Sequence, residues 1–108
     1  MNIRIKATRL ELTEAIKEYI ETKMNTLEKY LGSKVQVINF DFEIEKSVGG
    51  QSKGEIFRAE VNMQVPHEML RVEKTEKDLY KAIDKVRDHL EMMITKYKEK
   101  LIDKERGL

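Results

Sequence analysis

The stretch IFRAEVNMQVPHEMLRVEKTEKDLYKAIDKVRDHL (residues 56–90) changes its hydrophobic period partway along. At first every second residue is apolar: Phe57, Ala59, Val61, Met63 and Val65 mark a strand with one covered and one wet face. Pro66 ends that strand, because proline has no N–H to give to a ladder. Leu70 and Val72 repeat the alternation in a shorter strand, EMLRVEK (68–74). From Leu79 onward the spacing becomes four and three. Leu79, Ile83, Val86, Leu90, then Met93 or Ile94, Tyr97 and Leu101 form one stripe along a helix. Thr75 and Asp78 give a capping-box pattern ahead of it. Helical from Glu76 to about Asp103, this segment would be roughly 40 Å long. Strands of usual length reach only about 20 Å, so several C-terminal turns are expected to project beyond the sheet.

Toward the N-terminus the same two periods recur. NIRIKA (2–7) alternates through Ile3, Ile5 and Ala7, a half-buried strand. Thr13 is an N-cap for one helix over EAIKEYIETKMNTLEKYL (14–31), whose stripe is Ile16, Ile20, Met24, Leu27 and Leu31. Gly32 supplies its stop. KVQVINFDFEIEK (34–46) changes phase: Val35 and Val37 share one face, whereas Ile38, Phe40, Phe42 and Ile44 share the other. A bulge or a strand start is therefore expected near Val37–Ile38. SVGGQSKG (47–54) reads as a flexible hairpin connection. The order is β-α-β-β-β-α. The fold class is α+β, a four-stranded sheet with both helices packed on one face, because each helix has a single apolar stripe to bury.

The 108 residues make one domain, and the absence of cysteine excludes disulfides and thiolate metal sites. No apolar run approaches the roughly 18 residues of a membrane span, and the N-terminus lacks the apolar core of a signal peptide. A soluble, cytoplasmic protein is expected. With 21 basic and 20 acidic residues the net charge is +1, which argues against a strongly basic, non-specific nucleic-acid binder. The small excess collects at one end. Residues 92–108 hold Lys96, Lys98, Lys100, Lys104 and Arg106 against Glu99, Asp103 and Glu105.

Enzyme constellations are scarce. His67 and His89 lie in different elements with no cysteine beside them, and PHEML (66–70) lacks the second histidine of a helical zinc motif. GGQSKG lies between strands, whereas a phosphate loop opens a helix. No cofactor, metal or small-molecule substrate is expected. Lys85, His89, Met92, Lys96 and Lys100, spaced four, three, four and four, share one helical face, and Lys104 extends it. Lysines so placed reach successive phosphates of a folded RNA; by pattern alone, a solvated lysine face is the commoner explanation. On either reading Lys96, Lys98 and Lys100 are expected to be exposed. Tyr97 has two readings, sealing the core edge or stacking on a base, of which the core is favoured.

The stretch NMQVPHEMLRVEKTEKDLYKAIDKVRDHLEMMITKYKEK (62–100) resembles the ribosome hibernation promoting factor family, which includes the ribosome-associated translation inhibitor. Asp78, Leu79, Tyr80, Ala82, Ile83 and Asp84 match the acidic residue and "hydrophobic-Tyr-x-Ala-Ile-Asp" that open the family's long helix. LELTEAIKEYIETKMNTLEKYL (10–31) is similar to its first helix, and the likeness covers essentially the whole chain. It implies a domain arranged like those that bind double-stranded RNA, and residues 1–108 as one ribosome-binding domain with a frayed tail at about 104–108. It also implies a partner, the small ribosomal subunit and its ribosomal RNA, bound in the channel used by messenger and tRNA so that translation stops under stress. The basic residues along the helices would make the contacts. These are Lys23 and Lys29 in the first helix, and Lys85, His89, Lys96, Lys98, Lys100 and Lys104 in the second. Met92, His89 and Thr26 stand where many members carry arginine or lysine, so the surface is less basic than usual for the family. Dimerisation of ribosomes would require the C-terminal domain of the family's long form. The alternatives from other classes are a general duplex-RNA binder and a protein-interaction module.

Overall fold

The computed structural model describes residues 1–48 and 54–107. Its elements are β1 (Arg4–Thr8), α1 (Glu14–Asn25), α2 (Glu28–Leu31), β2 (Asn39–Val48), β3 (Glu55–Val65), β4 (Glu68–Glu76) and α3 (Leu79–Glu105). The strands form one sheet in the order β1-β2-β3-β4. β1 runs parallel to β2, and the other pairs are antiparallel. The expected hairpin connection lies mostly on residues 49–53, outside the described residues.

Alternation sorts each strand into an apolar inner and a charged outer face. Ile5, Phe42, Val61 and Val72 stand in register across all four strands, next to a row of Phe40, Met63 and Leu70. α1, α2 and α3 cover that inner face with Ile20, Met24, Leu27, Leu31, Ile83, Val86, Leu90 and Ile94, all buried. Ile94, rather than Met93, is the fully buried member of the α3 stripe. The phase change in the second strand is a strand start. Val35 is buried in the preceding loop and the ladder begins at Asn39, which leaves Ile38 48% exposed instead of on the inner face.

Three boundaries differ from the sequence reading. The first helix is broken. Thr13 caps it as expected, with its hydroxyl accepting from Ile16 N–H at 3.2 Å. At Thr26–Leu27, however, the backbone tightens, and Leu27 N–H reaches back only three residues, to Met24 O. One turn, α2, then carries the apolar stripe on to Leu31, and Gly32, at φ 59°, ends it. The capping box is not formed: Thr75 pairs with Arg58 inside β4, and Asp78 alone is the N-cap, accepting from Tyr80 N–H at 2.9 Å. Finally, α3 continues through Lys104 and Glu105.

The C-terminal overhang is also shorter than expected. Tyr97 is 5% exposed and Leu101 half-buried. The strands are long: β3 has 11 residues, about 36 Å at 3.3 Å per residue. Only Lys104, which by helical period points the same way as Tyr97, finds no core beneath it.

On the outer sheet face Arg58, from β3, gathers four carboxylates. It meets Glu43 at 2.6 Å, Glu45 and Glu60 at 3.6 Å and Glu73 at 4.0 Å, which ties β2, β3 and β4 together. Its hydrogen bond holds the Glu43 carboxyl below the usual carboxylate range. A lowered folded-state value means stability that is present above the ordinary value of 4.5 and lost as pH falls through the lowered one. Glu43→Gln should therefore lower the melting temperature at neutral pH and flatten its decline in acid, read from melting curves down to about pH 3. An unchanged acid slope would remove Glu43 from that role. In the core, Leu90→Ala should cost about 2–5 kcal/mol in denaturant unfolding.

Candidate nucleic-acid interface

Tyr97 fixes the rotation of α3. Its ring is buried, and its hydroxyl donates to Pro66 O, in the turn between β3 and β4, at 2.8 Å. Burial pushes the phenol above its ordinary value. The ring therefore serves the core and has no free face for a base. With the helix advancing about 100° per residue, Lys96 and Lys98 fall on opposite flanks of Tyr97.

The predicted lysine cluster is thereby divided. Lys96 is exposed on the flank beside β4, whereas Lys98 is half-buried on the flank beside α1 and α2, contrary to the exposed position expected for it. A lysine two residues along a helix is rotated by roughly 200°, and its methylene stem covers apolar surface there. The eight candidates form two strips and an outlier. Lys85, His89, Lys96 and Lys100 follow the β4 flank, with exposed Met92 between them. Lys23, Lys29 and Lys98 belong to the α1–α2 side. Lys104 stands on the terminal overhang. Exposed Asp88, Thr95 and Glu99 form the ridge between the strips.

The lysines differ in how far their charge is already engaged. Lys85 donates to Glu76 at 2.9 Å, and this bond holds the Glu76 carboxyl below its ordinary value. Lys100 reaches Glu68 at 3.3 Å, and Lys23 reaches Asp84 at 3.4 Å. Lys29 lies 5.2 Å from the Tyr30 ring centroid. Among the described residues Lys29, Lys96, Lys98 and Lys104 have no carboxylate within 4.0 Å.

The α1–α3 contact is built from polar and aromatic side chains. Tyr19 donates to Asp84 at 2.6 Å, and Tyr80 meets the Tyr19 ring edge-on at 4.7 Å. Burial, then the Asp84 bond, pushes the Tyr19 phenol up to about 12. The Lys23 ammonium lies 5.5 Å from the same ring, so Asp84 and Tyr19 together hold it. One turn on, Arg87 donates to Thr26 Oγ1 at 2.8 Å and to Glu91 at 2.6 Å, and stacks 5.8 Å from Tyr30. The Thr26 hydroxyl in turn donates to Lys23 O at 2.6 Å. Sequence reasoning passed over Arg87; its spacing of four from Glu91 was the available signal. Thr26, noted only as a position where a basic residue is replaced, locks the break between α1 and α2 onto α3. His67 occupies the β3–β4 turn at φ 68°, away from His89. Among the described residues no group of three or more His, Cys, Asp or Glu is arranged to hold a metal.

Comparison with known proteins gives a consistent picture. The sequence profile of the family described as "Sigma 54 modulation protein / S30EA ribosomal protein" matches residues 3–102. A ribosome hibernation promotion factor of Lactococcus lactis is 31% identical over 99% of this chain and 55% of its own length. One from Bacillus subtilis is 33% identical over 94% and 50%. The chain thus spans about half the length of these two relatives, but 92% of a 29% identical ribosome hibernation promoting factor of Azotobacter vinelandii. Among solved structures, the N-terminal domain of Thermus thermophilus Protein Y superposes with a TM-score of 0.69 at 33% identity, covering 90% of this chain and 99% of that one. A ribosomal subunit interface protein from Coxiella burnetii shares the fold, with a TM-score of 0.73 at 18% identity over 92% and 99%.

Tyr97→Phe keeps the ring and removes the bond to Pro66 O. It should cost about 0.5–1.5 kcal/mol in chemical unfolding. An unchanged unfolding free energy would remove that bond from the support of α3.

Proposed function

Because the chain belongs to the Sigma 54 modulation protein / S30EA ribosomal protein family, whose matched relatives are ribosome hibernation factors rather than enzymes, we propose that it binds the small ribosomal subunit. It occupies the channel used by messenger and tRNA and halts translation when cells enter stress or stationary phase. The observation that carries this reading is the pair of lysine strips on the two flanks of α3, one of them shared with α1 and α2, within a family match over residues 3–102. Ammonium groups at helical spacing neutralise phosphates and release their counterions. The two rows of lysines address backbones on either side of α3, with the acidic ridge of Asp88 and Glu99 between them. The site of action is the cytoplasm, where ribosomes work; among the described residues no helix is long and apolar enough to cross a membrane.

A duplex-RNA binder would use the same lysines through shape and 2′-hydroxyls, and competition separates the two readings. The protein should co-sediment with small subunits at physiological salt, resist displacement by excess duplex RNA and inhibit cell-free translation at near-stoichiometric amounts. Protein left at the top of the gradient would overturn the proposal. Lys96 and Lys104, both exposed and without a carboxylate partner among the described residues, provide the residue-level test. Lys96→Ala with Lys104→Ala should hardly move the melting temperature. The slope of log K against log salt should become shallower by about 0.7–0.9 for each phosphate no longer neutralised.

A further inference from the structure

Three of the seven candidate lysines are held by carboxylates drawn from three different places. Glu68 opens β4 and takes Lys100, Glu76 closes β4 and takes Lys85, and Asp84 in α3 takes Lys23. Asp84 is itself fixed by the Tyr19 hydroxyl, and Glu76 also lies 4.0 Å from Lys81. The paired lysines remain 37–68% exposed, so each is within reach of a ligand as well as its carboxylate. We propose, building on the ribosomal reading above, that Glu68, Glu76 and Asp84 are specificity determinants that keep the protein off arbitrary RNA. A phosphate approaching Lys23, Lys85 or Lys100 must displace a carboxylate and then sit beside its negative charge. An RNA surface that also meets Lys29, Lys96, Lys98 and Lys104, which have no carboxylate partner among the described residues, offsets that cost. A chance duplex, touching fewer of them, does not. Discrimination then comes from a repulsive element built next to each of the paired lysines.

The test uses the whole chain with Glu68→Gln, Glu76→Gln and Asp84→Asn combined. The amide oxygen of Asn still accepts from Tyr19, so the α1–α3 contact survives, which melting curves check; Asp84→Asn alone serves if the combination melts early. A control carrying Glu11→Gln, Glu14→Gln and Glu18→Gln changes net charge equally, at exposed carboxylates that hold none of the candidate lysines. The probes are a short RNA duplex of arbitrary sequence and purified small subunits. The combined variant should bind the duplex roughly tenfold more tightly at low salt, with a salt slope steeper by about 0.7–0.9 per freed lysine. Its affinity for small subunits should rise less, so the ratio between targets falls. An unchanged duplex affinity and slope, an equal gain in the control, or an equal gain for both targets would each overturn the inference. Failure of the unmodified protein to hold small subunits would sink the ribosomal reading alone, since the duplex measurements still decide what the carboxylates do.

Discussion

A helix of 27 residues with an unbroken apolar stripe needs cover along about 40 Å, and matching that length is the constraint on which the rest of the domain depends. The long hairpin of β3 and β4 provides the cover. Its turn reaches far enough to place Pro66 O under the Tyr97 hydroxyl, and its inner face carries Val61, Met63, Leu70 and Val72. Once α3 is seated, its rotation is set. Everything on its surface follows from that rotation, including the flank that receives α1, the flank that borders β4 and the ridge that faces solvent. Lysine positions are therefore consequences of where Tyr97 and Leu90 point.

The domain is nearly neutral because it pairs its charges locally, and it does so differently on its two faces. On the outer sheet face Arg58 sits among four carboxylates and binds three strands together, a structural use of charge. On the helical side the pairs that hold Lys23, Lys85 and Lys100 are more exposed, and they are interspersed with lysines that have no carboxylate partner among the described residues. Exposed pairs of this kind contribute little to folding, so their arrangement is open to serve binding. The polar contacts that do hold the helices together, Tyr19 with Asp84 and Arg87 with Thr26, are those with shorter distances and shared aromatic neighbours.

Much of the fold was legible because it rests on period. The alternation of β3 and the four-and-three spacing of α3 each name a buried face; the register bears out the first, and the burial of Leu79, Ile83, Val86, Leu90 and Ile94 the second. What period cannot supply is length and rotation relative to neighbours. Against strands of ordinary length α3 would overhang by several turns; against the 11 residues of β3 it does not. Lys98 and Lys96 are close in sequence, yet two residues along a helix is nearly the opposite side. The break at Thr26 was invisible because the apolar stripe continues across it, from Met24 to Leu27. Thr75 has the residue type of a cap, but its backbone is already engaged with Arg58 in the sheet. The lysines could be named from the chain alone, whereas their carboxylate partners Glu68 and Glu76 lie in another element and required the packed structure.

The placement of β1 carries a consequence for how the chain is made. Its ladder joins Arg4 to Asp41 and Thr8 to Glu45, a separation that must be closed before either strand gains anything, while β2, β3, β4 and α3 follow one another as neighbours. Loop closure over so many residues costs entropy that the short hairpins do not incur. During synthesis β1 and α1 leave the ribosome first, yet β1 must wait for β2 to pair with and α1 for α3 to pack against. The loop-closure cost thus favours pairing of the C-terminal hairpin before β1 closes onto the edge of the sheet.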